Sequence, residues 1–275
     1  FNYSDNTLFT SVKSSTSDFL TNSGYKTSEI GFSLGTKFEQ FQNIFLSPEI
    51  DFLIEDLETS DKASTILKKQ EGSYTDLYFN YSINQDLRDK RFRTESGYVT
   101  IFSQELPLVS DNAEFANAFE ITNYKKLSST SDMVGKISFF GKTITGLNDD
   151  VRISKRLKVP SYRLRGFERG KVGPVENNDY IGGNHITSLN LSATLPNIVE
   201  GLDNLDVGVF IDAANVWGVD YDSSIDDKSK LRSSTGVALN LMTPVGPLSF
   251  SFANALTKAS TDKTETFRFN LGTQF

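Results

Sequence analysis

Apolar and polar residues alternate one by one along most of this chain. In the segment KTETFRFNLGTQF (263–275), Phe267, Phe269, Leu271 and Phe275 share one parity, and Arg268, Asn270, Gly272 and Gln274 the other. Successive side chains of a β-strand point to opposite faces, so this is a strand with one greasy face. Leu205, Val207, Val209 and Ile211 alternate in the same way with Asp206, Gly208, Phe210 and Asp212. Leu248, Phe250, Phe252 and Leu256 alternate with Ser249, Ser251, Ala253 and Ala255. Leu46, Ile50, Phe52 and Ile54 oppose Ser47, Glu49, Asp51 and Glu55, and Leu77, Phe79, Tyr81 and Ile83 oppose Asp76, Tyr78, Asn80 and Ser82. Weaker runs near 8–16, 95–107, 113–124 and 131–144 keep the spacing. The pattern predicts about twelve strands, punctuated by turn-rich pieces such as TNSG (21–24), SDNA (110–113) and TPVGP (243–247). Helical periodicity is nowhere convincing.

Alternation alone fits two architectures. A soluble sandwich buries its apolar faces against each other, whereas a membrane barrel turns them to lipid and lines its lumen with the polar ones. Run length favours the barrel. At about 3.3 Å per residue and a tilt near 40°, an apolar band of about 25 Å needs roughly ten residues, and most runs are that long, against roughly five or six for a soluble strand. Long connections (57–72, 145–182, 218–230) follow odd-numbered strands, while those after even strands are short except 85–94. That asymmetry is expected of an outer-membrane barrel, and an even count puts both ends of the strand array on the short-turn side. The predicted fold is therefore all-β: a transmembrane antiparallel barrel over 1–275, with 145–182 as its longest extracellular loop.

Composition narrows the chemistry. No run approaches the roughly 18 apolar residues of a membrane-spanning helix. Cysteine is absent, which removes disulfides, thiolate metal sites and a Cys nucleophile, and His185 is the single histidine. A formal charge of −7 argues against a nucleic-acid partner. Against that background, VRISKRLKVPSYRLRGFERGKVG (151–173) holds eight Lys or Arg and one acid, Glu168. A solvated basic loop is the plain reading of such a run.

The order of segments in the second half supplies another reading. RISKRLKVPSYRLRGFERGKVGP, IGGN, FIDAANVW, GVALNLMTPVGPLSFSFANAL and FRFNLGTQF together resemble the C-terminal barrel of the BamA family, the outer-membrane-protein assembly factors of Gram-negative bacteria. Five segments in the right order make the resemblance specific over nearly half the chain. DLRDKRFRTESGY (86–98) is similar to a weaker family element with Thr94 in place of a proline, and 1–72 matches in pattern only. The resemblance implies a barrel of about sixteen strands, eleven of them before an inward-folded sixth loop, preceded by periplasmic (POTRA) modules. About seven strands precede the loop here and no such module is visible, so the expectation is a fragment beginning near the family's fifth strand.

The resemblance also assigns residues. The loop tip is Arg165, Gly166 and Phe167, supported by Arg163, Arg169, Gly170, Gly182 and Gly183. Asp212, on the lumen face by alternation, is the expected wall partner of Arg165, since a guanidinium can grip a carboxylate with two hydrogen bonds. A second acid that the family often places on the strand after IGGN is here Ser192, leaving the arginine one acidic partner fewer. Phe267, Phe269, Leu271 and the terminal Phe275 form the aromatic C-terminal signal read by the assembly machinery; an ordinary edge strand is the bland alternative. Trp217 and Tyr221 fit a core or an interfacial girdle equally well. Glu49, Asp51 and Glu55 read as lumen wall rather than paired catalytic carboxylates. Ser188 and His185, three apart on a strand, fall on opposite faces and make a poor hydrolase pair.

The function this implies is insertion of β-barrel proteins into the Gram-negative outer membrane, without ATP, cofactor, metal or enzymatic chemistry. The implied partners are unfolded barrel substrates, periplasmic lipoproteins of the assembly complex and the lipid bilayer. A related transporter of the superfamily, a TamA-like translocation and assembly barrel or a two-partner secretion pore, would share the inward loop. A passive porin would lack the Arg-Gly-Phe tip, and a lectin-like soluble sandwich is more distant.

Overall fold

A computed structural model describes residues 6–91, 93–128, 130, 132–196, 204–243 and 246–271. The alternating runs become β1 (Thr7–Phe19), β2 (Tyr25–Phe41), β3 (Ile44–Thr59), β4 (Gly72–Asp86), β5 (Gly97–Ser110), β6 (Glu114–Lys126) and β7 (Val134–Gly146). A two-rung hairpin, β8 (Val175–Glu176) and β9 (Asp179–Tyr180), sits in the long loop. β10 (His185–Pro196), β11 (Leu205–Trp217), β12 (Arg232–Thr243), β13 (Gly246–Thr257) and β14 (Phe267–Leu271) follow. Twelve strands form one antiparallel sheet in chain order, interrupted only by the β8–β9 hairpin. Seven precede the long loop and five follow it, the division read from the alternation. The only helices among the described residues are single turns, α1 (Leu20–Ser23) and α2 (Thr65–Lys68), the latter capped by Ser64 Oγ, which accepts from Leu67 N at 3.2 Å.

Burial decides between sandwich and barrel. Ile50, Phe52 and Ile54 on β3, Val209 and Ile211 on β11, Phe252 on β13 and Phe267, Phe269 and Leu271 on β14 are exposed. Glu55, Asp76 and Asp212 are fully buried and Glu114 is nearly so. A protein folded for water would not bury its carboxylates and expose its phenylalanines. Turned to lipid, the same apolar face is solvated and the polar face lines the interior.

Connections after β3, β7, β11 and β13 are long and lie at one end of the sheet; those after β2 and β12 are tight turns at the other. The segment 147–184 packs against the polar face, burying Arg152, Leu164, Phe167 and Ile181 there. Near one edge of the sheet Lys158 Nζ donates to Ser23 Oγ at 2.5 Å, and near the other Arg268 of β14 donates to Ser161 O at 2.7 Å. The sheet thus curls far enough for both margins to touch one loop. Among the described residues no ladder joins β1 to β14.

Candidate functional site: an inward loop locked to the wall

The site is built from two elements. The inward parity of the strands supplies a wall of carboxylates, and the basic loop supplies the cations. On β11, Phe210 and Asp212 point inward between the exposed Val209 and Ile211. Asp212 faces Asn190 of β10 on one side and Ser234 of β12 on the other.

Arg165 closes on Asp212 as a fork. Its Nε donates to Oδ2 at 2.7 Å, an Nη donates to Oδ1 at 2.8 Å, and its backbone N–H reaches Oδ2 at 3.1 Å. Asn190 Nδ2 donates to Oδ1 at 2.8 Å and to Arg163 O at 2.7 Å. A carboxylate with no solvent exposure thereby accepts four hydrogen bonds, the condition under which a buried charge is tolerated. The guanidinium stacks on Phe210, 3.4 Å from its ring centre. Sequence reasoning placed Ser192 at the second polar position. Ser192 pairs with Phe210 in register, one pleat from Asp212, and the amide of Asn190 occupies the place beside the carboxylate. Asn190 was missed because both residues have inward parity and only the register separates them.

Gly166 adopts φ +86°, and a Cβ there would lie 3.1 Å from Ala253 Cβ and 3.3 Å from Ser234 Cβ. Both the conformation and the closeness to the wall call for glycine. Phe167 is buried with Val159, Leu164, Val172, Ile186, Ala214 and Val216. Arg163 donates to Glu120 of β6 at 2.8 Å and lies 4.0 Å from the Phe140 ring centre. Arg169 is exposed and meets no carboxylate among the described residues; Gly170 turns beside it with φ +71°. Gly182 and Gly183 are buried at the return of the loop, where Gly183 and Leu157 exchange backbone bonds of 2.8 and 3.0 Å, and a Cβ on Gly183 would meet Trp217 O at 2.5 Å.

The tip is also stitched to the last hairpin. Phe167 forms an antiparallel bridge with Thr264, Glu168 N donates to Lys263 O at 3.0 Å and Glu265 N to Gly166 O at 3.1 Å. Arg268 donates to Phe167 O at 2.5 Å. Asp262 takes Arg232 Nε at 2.9 Å and Gly173 N at 3.3 Å, tying loop, β12 and the β13–β14 connection together. Nothing in the sequence marked 262–268 as a loop partner: its bridges use backbone groups, and the partners of the Asp262 and Arg268 side chains are set by the loop path alone.

A second anchor lies at the loop's start. Arg152 is fully buried among Glu55 of β3, Asp76 of β4 and Glu114 of β6. It donates to Glu114 through its backbone N–H (3.0 Å), Nε (3.1 Å) and an Nη (2.9 Å), and to Asp76 at 2.7 Å, with its guanidinium 4.5 Å from the Tyr74 ring centre. Burial works against its charge, but the bonds and charges of Glu114 and Asp76 outweigh this and hold its pKa above the ordinary arginine value. Arg156 pairs with Asp220 of the β11–β12 loop and donates to Asn184 Oδ1 at 2.8 Å. Burial of Asp220 opposes its ionisation, yet Arg156, Val151 N–H and the Asn184 amide hold its carboxyl below the usual range.

Phe267, Phe269 and Leu271 form an exposed stripe, with Phe269 5.1 Å from Phe250 and Phe267 5.0 Å from Phe252 between ring centres. Phe275 lies outside the described residues. Trp217 sits at the outward rim, 5.4 Å from His185, whereas Tyr221 packs in the loop cluster against Arg156. His185 Nδ1 shares a 2.8 Å hydrogen bond with Thr143 Oγ1. Ser188 is buried on the opposite face.

The Omp85 superfamily domain matches residues 1–275. Outer membrane protein assembly factor BamA of Neisseria meningitidis serogroup B is 30% identical over 141 residues, 41% of this chain and 17% of its own length. BamA of Neorickettsia risticii is 24% identical over 200 residues, 71% of this chain and 27% of its own. The crystal structure of BamA from Haemophilus ducreyi lacking POTRA domains 1–3 superposes with a TM-score of 0.81 at 22% identity, covering 96% of this chain and 58% of that one. The chain therefore spans between a sixth and a third of the curated relatives' length. It belongs to the Omp85 superfamily of outer-membrane β-barrels, and the relatives named here are its BamA members.

Proposed function

We propose that this barrel folds and inserts other β-barrel proteins into the outer membrane, drawing on no ATP and no covalent step, with unfolded barrel substrates and periplasmic lipoproteins as partners. Outer-membrane protein assembly is the function found at the level of the family. The observation that favours an assembly or transport barrel over a passive pore is the docked tip: Arg165 held bidentately by a fully buried Asp212 while Phe167 and Glu168 are stitched to Thr264 and Lys263. A pore built for passive flow gains nothing from a loop locked to the inside of its wall. Here the loop braces the wall from inside and reaches the margin of the sheet, so its docking is coupled to the last hairpin.

The test is reconstitution of the longer protein carrying this barrel into liposomes, scored by the folding of an added unfolded barrel substrate in the absence of nucleotide. Acceleration that is lost in Arg165→Ala supports the proposal. Wild-type protein that leaves substrate folding unchanged but passes a secreted polypeptide across the bilayer moves the assignment to the transporter branch.

A further inference from the structure

The outward surface of β6, β7, β10 and β11 is not evenly packed. Two outward-facing registers, two residues apart, cross these strands. In the first, Lys125 pairs with Gly135, Gly135 with Ala193, and Ala193 with Val209. In the second, Asn123 pairs with Ile137, Ile137 with Leu191, and Leu191 with Ile211. The small pair Gly135–Ala193 is the low point of this surface, with the Leu127 side chain lying over Gly135, bulkier Ile137 and Leu191 next along the strands, and Val209 and Ile211 at one side. The result is a groove of about 400 Å³, within the range of roughly 300–1,000 Å³ typical of ligand pockets.

The groove is chemically graded. Its β10–β11 side is aliphatic and exposed; its β6 side ends in Asn123 and Lys125. Lys126, next in sequence, is paired with Asp132 at 2.8 Å, and Lys90 on the same rim is paired with Glu95. Lys125 is exposed and meets no carboxylate among the described residues. The position is equally specific, because Lys125 is one residue from the end of β6, on the side of the short turns. In an outer-membrane barrel that is the periplasmic side, where the facing leaflet is phospholipid.

We propose that this groove is a binding site for one anionic phospholipid of the periplasmic leaflet, its acyl chain lying along Ile137, Leu191 and Ile211 and its phosphate on Lys125 Nζ. An ammonium just outside the apolar band attracts an anionic headgroup, and the apolar floor holds a chain that has no other partner there. The same wall carries Asp212 and Asn190 on its inner face, so the lipid backs the strands that hold the loop tip. The proposal rests on the outer-membrane reading of the barrel and not on its assembly activity.

Native mass spectrometry of the detergent-solubilised protein tests it, after equilibration with phosphatidylglycerol or with phosphatidylcholine of the same chains. The expected result is one retained phosphatidylglycerol, favoured roughly fivefold over phosphatidylcholine, the scale of one lysine near an anionic headgroup. Lys125→Ala should abolish the preference and Lys125→Arg keep it, while Ala193→Phe, which fills the floor from the lipid side, should reduce retention of both lipids. Equal retention of the two lipids by the wild type, or undiminished phosphatidylglycerol on Ala193→Phe, would overturn the site. Heat-modifiable gel migration reports folding of each variant, and no readout depends on substrate assembly, so failure here and failure of the assembly reading are separable.

Discussion

Replacing Arg165 by alanine removes two charge-assisted hydrogen bonds and the stack on Phe210 from a carboxylate that has no solvent exposure. Asp212 would keep only the Asn190 amide and the backbone N–H of residue 165. Breaking a buried pair on one side costs about 3–5 kcal/mol. The lower part of that range applies, because Arg165 is itself 21% exposed and two donors remain. Asp212→Ala should cost less, since the freed guanidinium can reach water. The double mutant should fall within about 1 kcal/mol of Arg165→Ala, because the second substitution removes the orphaned charge left by the first. Arg165→Lys keeps the charge but loses the planar fork and the stacking, and should recover less than half of the loss. The assay is the midpoint of heat-modifiable unfolding in detergent, paired with growth rescue in a depletion strain. Additive costs for Arg165 and Asp212, with lysine as good as arginine, would refute the lock and return the segment to the surface as a solvated basic loop.

Arg152→Met should destabilise by about 3–5 kcal/mol by stranding Glu55, Asp76 and Glu114, and adding Glu114→Gln should recover part of it, read as unfolding midpoints. Phe252→Arg, on the lipid face, should lower stability in bilayers by about 2–4 kcal/mol while Phe252→Leu stays near wild type. Ser251→Arg, which alternation alone would mark as a harmless lumen change, should also destabilise, because Ser251 is buried and pairs with Arg268. Lys158 offers a pH test: burial first and the charge of Lys171 second push its pKa down to about 8. Between about 8 and the ordinary value near 10.4 the unfolded chain binds more protons than the native one, so stability should rise with pH across that window. Below it, the cost of the buried charge is fully present, and Lys158→Met should both raise the unfolding midpoint at pH 7 and flatten the rise.

What the sequence by itself determined is what local periodicity can carry. Side-chain direction in a strand flips at every residue, so the inward parity of Asp212 and Glu55, the lipid parity of Phe252 and Phe267, the count of strands and the asymmetry of loops were all legible without a structure. The Arg-Gly-Phe tip and the choice of Asp212 came from ordered motifs added to that parity. Parity does not say which inward residue meets which. Arg152 finds Glu55, Asp76 and Glu114 on three strands, 97, 76 and 38 residues earlier in the chain. Asn190 rather than Ser192 stands beside Asp212 because the β10–β11 register sets it there. The bridge of Phe167 to Thr264 uses backbone groups that every residue possesses. These pairings belong to the tertiary structure alone, since register and loop path are fixed by the whole sheet curling round one buried, charged segment, and a carboxylate taken out of water must be met by whichever cation that path delivers.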